Sequence, residues 1–191
     1  MYFLIKHARR RGSTIKDSKL KVEIERNVKV ATYPFTDYFK GFERIEAVRG
    51  IFGKNTEKAL NDLKVEFAGI RGYMGVNEKD GHLLVSATYL KEGNIIDIYL
   101  DIIHELVHVR QFLEGKELFD DRFTYTERPT EVEAYRLAVE EARRIGLSDE
   151  RILDYLKTEW MSEKELERLA KTMHVKCDYA EKAGKTRKRS A

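Results

Sequence analysis

The chain has 191 residues, of which 42% are hydrophobic and 10% aromatic, enough for one domain of ordinary size with a buried core. Its net charge is only +3, and its single cysteine, Cys177, excludes both an intrachain disulfide and a cysteine-based zinc cluster. No apolar run approaches the roughly 20 residues that cross a membrane, and the N-terminus has no signal-peptide core, so we expect a soluble, cytoplasmic protein without membrane contact.

The first half of the chain has the patterns of strands and short helices. Residues 20–30 alternate between apolar and charged side chains, which predicts a half-buried strand. Pro34 ends this strand, and the apolar spacing over residues 36–52 predicts an amphipathic helix. Residues 64–76 and 82–90 are typical of two strands, joined by a turn that contains Asp80 and Gly81, a strong hairpin pattern.

The second half is predicted to be helical. Residues 95–113 are apolar around much of the helical circumference, which favours a buried helix. After an irregular connection, further helices are predicted over about 130–145, 149–158 and 163–174. The last of these begins with Ser162-x-x-Glu165, the pattern of a capping box.

These elements predict an α+β fold in which a small antiparallel or mixed sheet packs on the helix of residues 95–113. We divide the chain into an N-terminal strand and helix segment (1–64), a core (65–146), C-terminal helices (147–180) and a basic tail (181–191). Charged residues are 36% of the chain, and Gln111 is the only glutamine. This composition resembles that of proteins from hot environments, where ion-pair networks are favoured.

The predicted central helix contains the sequence DIIHELVHVRQF at residues 101–112, in which His104, Glu105 and His108 have the spacing H-E-x-x-H. Residues four apart on an α-helix are displaced by only about 40°, so both histidines can share one ion at about 2.0 to 2.1 Å. Glu105 lies about 100° round the helix, where it can accept a proton from metal-bound water rather than complete the ligand set. The spacing therefore predicts two zinc ligands and a general base on one turn.

An accidental motif on a structural helix is the alternative interpretation, in which the histidines face solvent or are satisfied within the core. Composition alone gives a chance of roughly 1 to 2% that H-E-x-x-H occurs somewhere in such a chain. The motif also lies in the middle of the most apolar helix, where an unpaired histidine or glutamate is costly. Both points favour the metal site.

A third zinc ligand is expected downstream, because catalytic zinc usually has three protein ligands and a water. No extended H-E-x-x-H-x-x-G-x-x-H motif is present. The remaining histidines are His7, His82 and His174. Better candidates are Glu131 and Glu133, at the start of the next predicted helix. Because Thr130-x-x-Glu133 is also a capping-box pattern, in which Glu133 would bind its own helix end, the residues leave both glutamates open.

The H-E-x-x-H helix, the hairpin strand before it and the Glu133-Ala134 dipeptide on the next helix resemble the gluzincin metallopeptidases, especially the compact intracellular ImmA/IrrE type. The resemblance covers roughly residues 65–146, and its only highly specific element is the helix motif. It implies a zincin-like fold, a zinc cofactor and hydrolysis of a peptide or protein substrate. It also implies that Glu133, directly before the alanine, is the third ligand.

Many gluzincins place an acidic or amide residue shortly after this ligand to orient a histidine, whereas this chain has Tyr135 and Leu137 there. Asp101 or Glu140 would then have to orient the histidines. Candidates for stabilising an oxyanion are Tyr125, Tyr135, Arg110 and His82. The strand of residues 82–90 is predicted to form a wall of the cleft, which can bind an extended peptide by strand addition.

Positive charge is concentrated near both ends, in residues 6–16 and 182–191. We expect the last ten residues to be a solubilising tail, with a weak contact to nucleic acid or an acidic partner as the alternative. The leading hypothesis is thus a zinc metallopeptidase with Glu105 as general base. The competing hypothesis is a catalytically silent zinc-binding domain that binds a protein or nucleic acid through its basic termini.

Overall fold

The computed structural model describes residues 20–69, 72–159 and 161–177. The predictions for His7, for the basic segments 6–16 and 182–191 and for the tail from residue 181 lie outside these residues. The described part is α+β, with helices packed around a small mixed sheet. This confirms the predicted fold class at that level.

The N-terminal part contains short elements rather than the long strand and long helix predicted for it. They are β1 (Glu23–Ile24), β2 (Ala31–Pro34), α1 (Phe35–Tyr38), β3 (Phe39–Lys40), α2 (Glu46–Phe52) and α3 (Thr56–Asp62). The predicted helix over residues 36–52 is interrupted because β3 pairs with β1, and because Gly41 has a φ of 88°. A Cβ at Gly41 would lie 2.7 Å from the carbonyl oxygen of Lys21, so this turn requires glycine.

The main sheet has the strand order β2-β4-β6-β5, with β4 at Lys64–Ala68, β5 at Met74–Val76 and β6 at Leu83–Ser86. Strand β6 is parallel to β4 and antiparallel to β5, so the sheet is mixed. The single strand predicted over residues 64–76 is two strands, which lie on either side of β6. Strand β2 pairs with β4, so the sheet continues across the predicted boundary at residue 64.

The turn between β5 and β6 confirms the predicted hairpin and fixes the sheet against the central helix. Gly81 has a φ of 76° in this turn. A Cβ at Gly81 would lie 2.4 Å from the ring of Phe112, so a side chain there would collide with the ring. The glycine therefore allows both the turn and its close contact with the helix.

The second half is helical, as predicted. The strand predicted over residues 82–90 is too long, because it ends at Ser86, whose side chain caps a helix that follows directly. The helices are α4 (Ala87–Glu92), α5 (Ile95–Leu113), α6 (Pro129–Arg144), α7 (Asp149–Leu156) and α8 (Glu163–Thr172). The bounds of α5 agree with the prediction, and those of α6 agree to within one residue. The predicted capping box at Ser162 and Glu165 is also present. None of the described helices is long and apolar enough to cross a membrane.

Helix α5 lies at the centre of the fold, where it packs against α6 and contacts α2 and β5. Its apolar side chains are buried along most of its length, including Ile98, Tyr99, Leu100, Ile102, Ile103, Leu106 and Val107 at 0% exposure. A helix in this position holds its polar residues rigidly, because each of its turns is packed against neighbouring elements.

Replacing Asn94 with alanine is expected to destabilise the fold by about 1 kcal/mol. The Asn94 side chain accepts hydrogen bonds from the backbone N–H of Ile96 at 2.9 Å and of Asp97 at 3.4 Å, which caps the N-terminus of α5. Chemical denaturation would measure the change in free energy of unfolding. Asn94→Ser keeps a capping oxygen and should stay close to the wild type, and an equal loss in both variants would contradict the capping role.

Candidate metal centre

Two helices contribute the polar residues of the candidate site. His104, Glu105 and His108 lie on adjacent turns in the middle of α5, and Glu131 lies in the first turn of α6. Helix α6 starts at Pro129, whose fixed φ suits the first helical position. The connection from residue 114 to 128 turns the chain back, so the start of α6 packs against the C-terminal half of α5.

The three ligand atoms have the spacing of a tetrahedral zinc site. Nε2 of His104 and Nε2 of His108 are 3.0 Å apart. The Oε2 atom of Glu131 lies 3.3 Å from the first nitrogen and 3.5 Å from the second. Ligand atoms about 2.0 to 2.1 Å from a tetrahedral zinc ion are themselves about 3.3 Å apart. His104, His108 and Glu131 could therefore hold a metal ion.

Burial and charge at the site also fit a cation. His104 is 0% exposed, and His108 and Glu131 are each 6% exposed. Among the described residues, the close polar neighbours of Glu131 Oε2 are the Nε2 atoms of His104 and His108, and neither is in ideal hydrogen-bond geometry. Buried carboxylates require a compensating partner, and Glu131, Glu105 and Asp101 are all buried within this region of α5 and α6. A divalent cation between the two histidines and Glu131 would supply that compensation.

The ionisation of His108 and Glu131 reflects their proximity to each other. Burial lowers the pKa of His108, but the negative charge of Glu131 and hydrogen bonds raise it more, to about 9. Burial raises the pKa of Glu131, but the charge on His108 and contacts with both histidines hold it well below its usual range. His108 and Glu131 therefore form an ion pair. The proton on His108 lies between the two side chains, where a metal ion could bind instead.

Glu105 has the environment expected of a general base. It is 2% exposed, and its burial raises the pKa of its carboxyl group to about 8. The charges of Glu131 and Asp101 raise this pKa further, whereas His108 lowers it. A carboxyl group whose pKa lies near the surrounding pH can both accept and donate a proton readily.

The structure places Glu131, rather than the predicted Glu133, beside the two histidines. Glu131, the alternative residue, lies beside the histidines, whereas Glu133 is directed away from them. The carboxylate of Glu133 accepts hydrogen bonds from Arg110 at 2.6 Å and Gln111 at 2.7 Å, and it forms an ion pair with Lys116 at 3.3 Å. Burial raises its pKa, but these donors lower it to about 2. The capping box of Thr130 and Glu133 is not formed, because Thr130 lies inside α6 and Arg128 is the N-cap residue.

The sequence analysis did not find the polar partner of His108. Gln111 is 0% exposed, and its Oε1 lies 2.7 Å from Nδ1 of His108. Its position three residues after His108, on the same face of a buried helix, is the pattern that could have indicated this contact. Of the two partners predicted instead, Glu140 is exposed on α6, and Asp101 is buried and accepts a hydrogen bond from the hydroxyl group of Tyr89.

Two of the four candidates for oxyanion stabilisation lie at the site. The ring of Tyr135 packs edge-on against His104 at a centroid distance of 4.5 Å, and its hydroxyl oxygen is 3.2 Å from that of Tyr125. Burial, followed by the charge of Glu131, raises the pKa of both tyrosines well above the usual value. Both therefore remain neutral hydrogen-bond donors near neutral pH.

The remaining candidates have other partners. Arg110 binds Glu133, and His82 lies between Asp80, at 2.5 Å, and Glu66, at 3.1 Å. His174 is exposed just after α8. Strand β6, predicted to bind a peptide by strand addition, is paired on both sides, so it has no free edge for an added strand. Its neighbour β5 is one of the two edge strands of the main sheet in the described part of the chain, and it contacts α5.

Comparisons of the chain with protein-family models, with curated proteins and with solved structures found no match. The features that point to a function are therefore the geometry of the site and the H-E-x-x-H motif.

Proposed function

We propose that the protein is a zinc-dependent peptidase with a zincin-like active site, in which His104, His108 and Glu131 bind the metal and Glu105 is the general base. The observation behind this proposal is the convergence of three potential ligand atoms, 3.0 to 3.5 Å apart, from α5 and α6. The buried Glu105 lies next to His104 on α5. Two imidazoles and one carboxylate are the usual ligand set of a hydrolytic zinc site, which retains a fourth position for water or substrate.

When bound at this position, zinc supplies a Lewis acid that polarises a carbonyl oxygen and lowers the pKa of a water molecule. Burial raises the pKa of Glu105 to about 8, which favours its protonated form at pH 7. The positive charge of a cation held by His104, His108 and Glu131 would lower this pKa and favour the carboxylate form of Glu105. In that form Glu105 can take a proton from the attacking water and deliver it to the amine that leaves when the peptide bond breaks.

The chain also offers groups that suit the other needs of peptide hydrolysis. The phenol groups of Tyr125 and Tyr135 are neutral donors close to Glu131, which suits them to stabilise the oxyanion that forms on the substrate. The edge strand β5 contacts α5 and offers a backbone with which an extended peptide can pair. A peptide is therefore the substrate that we favour.

Removal of metal should abolish the proposed activity. We expect zinc-loaded protein to cleave members of a mixed peptide library, detected by mass spectrometry. Treatment with 1,10-phenanthroline should stop cleavage, and added zinc should restore it, because the three ligands otherwise hold no Lewis acid.

His108→Ala should lose both zinc and cleavage, whereas His82→Ala, a histidine outside the cluster, should retain both. A zinc-loaded protein that cleaves nothing in the library, or cleavage that survives complete removal of metal, would refute the zinc peptidase.

A further inference from the structure

We propose that Gln111 is a positioning residue for the metal site, which fixes the ring of His108 and joins it to the start of α6. This inference rests on the proposed zinc site and names a residue outside the H-E-x-x-H motif that determines how tightly that site binds metal. Its basis is the set of contacts made by one fully buried amide group.

The oxygen and the nitrogen of the Gln111 amide together contact three polar partners. The Nε2 group donates to the carbonyl oxygen of Thr130 at 3.0 Å and to the carboxylate of Glu133 at 2.7 Å. The Oε1 atom lies 2.7 Å from Nδ1 of His108. The opposite orientation of the amide would place Oε1 against a carbonyl oxygen and a carboxylate, which would repel it. The neighbours thus determine which end of the amide faces the histidine.

This orientation decides the tautomer of His108. Because Oε1 can only accept, Nδ1 of His108 must donate an N–H to it. In the neutral ring, Nε2 then has a lone pair, and Nε2 is the atom that faces His104 and Glu131 at 3.0 and 3.5 Å. The hydrogen bond therefore presents the correct nitrogen to a metal and holds the ring at a fixed angle.

Glu133 is held in place by its own cationic partners, and so it can fix the amide. Arg110 donates to one carboxylate oxygen at 2.6 Å, and Lys116 lies 3.3 Å from the other. The chain of contacts runs from Arg110 through Glu133 and Gln111 to His108. Glu133, the ligand that the family resemblance implied, thus acts on the metal site indirectly, by holding the Gln111 amide that contacts His108.

The amide also links the two helices that provide the ligands. Its contact on α6 is the carbonyl group of Thr130, the residue directly before Glu131. The Gln111 side chain therefore contacts the ring of His108 on α5 and the backbone of Thr130 on α6, next to Glu131. We infer that loss of the amide weakens metal binding by loosening His108 and the position of Glu131 together.

The test measures zinc affinity by competition with a chromogenic chelator. Gln111→Met keeps the side-chain volume but removes the amide, and we expect it to weaken zinc binding about 10- to 100-fold. Glu133→Gln should weaken binding in the same direction. The matched control is Glu114→Gln, since the Glu114 carboxylate also pairs with Arg110 and Lys116 but is not the acceptor for the Gln111 amide, which is Glu133.

Two further measurements separate positioning from a general loss of stability. Histidine-selective NMR of the zinc-loaded wild type should show an Nδ1–H proton of His108 that is protected from exchange, and Gln111→Met should lose this protection. The exchanged pair Gln111→Glu with Glu133→Gln restores a donor and an acceptor between the two side chains, so it should bind zinc more tightly than Gln111→Glu alone.

Failure of this inference differs from failure of the zinc site itself. A wild type that binds zinc tightly while Gln111→Met binds equally well, with an unchanged His108 signal, would overturn the positioning role and leave the zinc site intact. A wild type that takes up no zinc would overturn both. Tight binding in the wild type, weaker binding in Gln111→Met and unchanged binding in Glu114→Gln would support the inference.

Discussion

Replacement of Glu105 with glutamine is expected to lower the rate of peptide cleavage about 10²- to 10⁴-fold while zinc stays bound. The amide has nearly the same shape as the carboxyl group, but it cannot accept a proton from water. Glu105 is 2% exposed and is not one of the three residues whose atoms converge, so its loss leaves the metal ligands in place. Cleavage rates and zinc content should be measured on the same preparations.

The control for this variant is Glu140→Gln, a change of the same chemistry on the exposed face of α6. It should leave both the rate and the zinc content unchanged. Unaltered cleavage by Glu105→Gln would exclude Glu105 as the general base. Loss of zinc from this variant would instead mean that the carboxylate helps to hold the metal.

Glu131→Gln is expected to reduce zinc affinity by more than about 100-fold. Mutation of a residue that only contacts a metal ligand typically lowers metal affinity by about 10- to 100-fold, so the larger loss would mark Glu131 as a ligand itself. The change removes the only carboxylate among the three converging groups, and an amide oxygen is a much weaker zinc ligand. Zinc content after dialysis, determined by elemental analysis, and chelator competition should both show the effect.

The comparison that decides the third ligand is Glu133→Gln, two residues further along α6. It should retain more zinc than Glu131→Gln, because its carboxylate contacts Arg110 and Gln111 rather than the histidines. His104→Ala should lose zinc as Glu131→Gln does. If zinc remained in Glu131→Gln and was lost in Glu133→Gln, the ligand would be Glu133, as the family resemblance implied.

Helix α5 was predictable because its pattern is local. Asn94 provides the N-cap, the apolar residues that follow continue around the helix, and the observed bounds Ile95–Leu113 match the prediction. The spacing of His104 and His108 guarantees that they project from the same face of this helix, whatever packs against it. Capping residues such as Ser162 likewise act on their own helix and were correctly predicted.

The N-terminal half was predicted less well because its structure depends on pairing between distant segments. Apolar residues at helical spacing occur from Phe39 to Phe52, but Phe39 and Lys40 pair with Glu23 and Ile24 instead of continuing a helix. Residues 64–76 have a nearly continuous strand pattern, yet they supply both neighbours of β6. Periodicity in one segment does not show which distant segment will pair with it.

The sequence by itself determined that His104 and His108 project side by side with Glu105 next to them, because one turn of α-helix fixes their relative directions. Only the tertiary structure decided the remaining residues. Two residues along α6 correspond to a rotation of about 200°, so the orientation and register of α6 against α5 decide which of Glu131 and Glu133 meets the histidines. That packing directs Glu131 to the histidines and Glu133 to Gln111 and Arg110. It follows from the chain reversal between the helices, which no local pattern specifies.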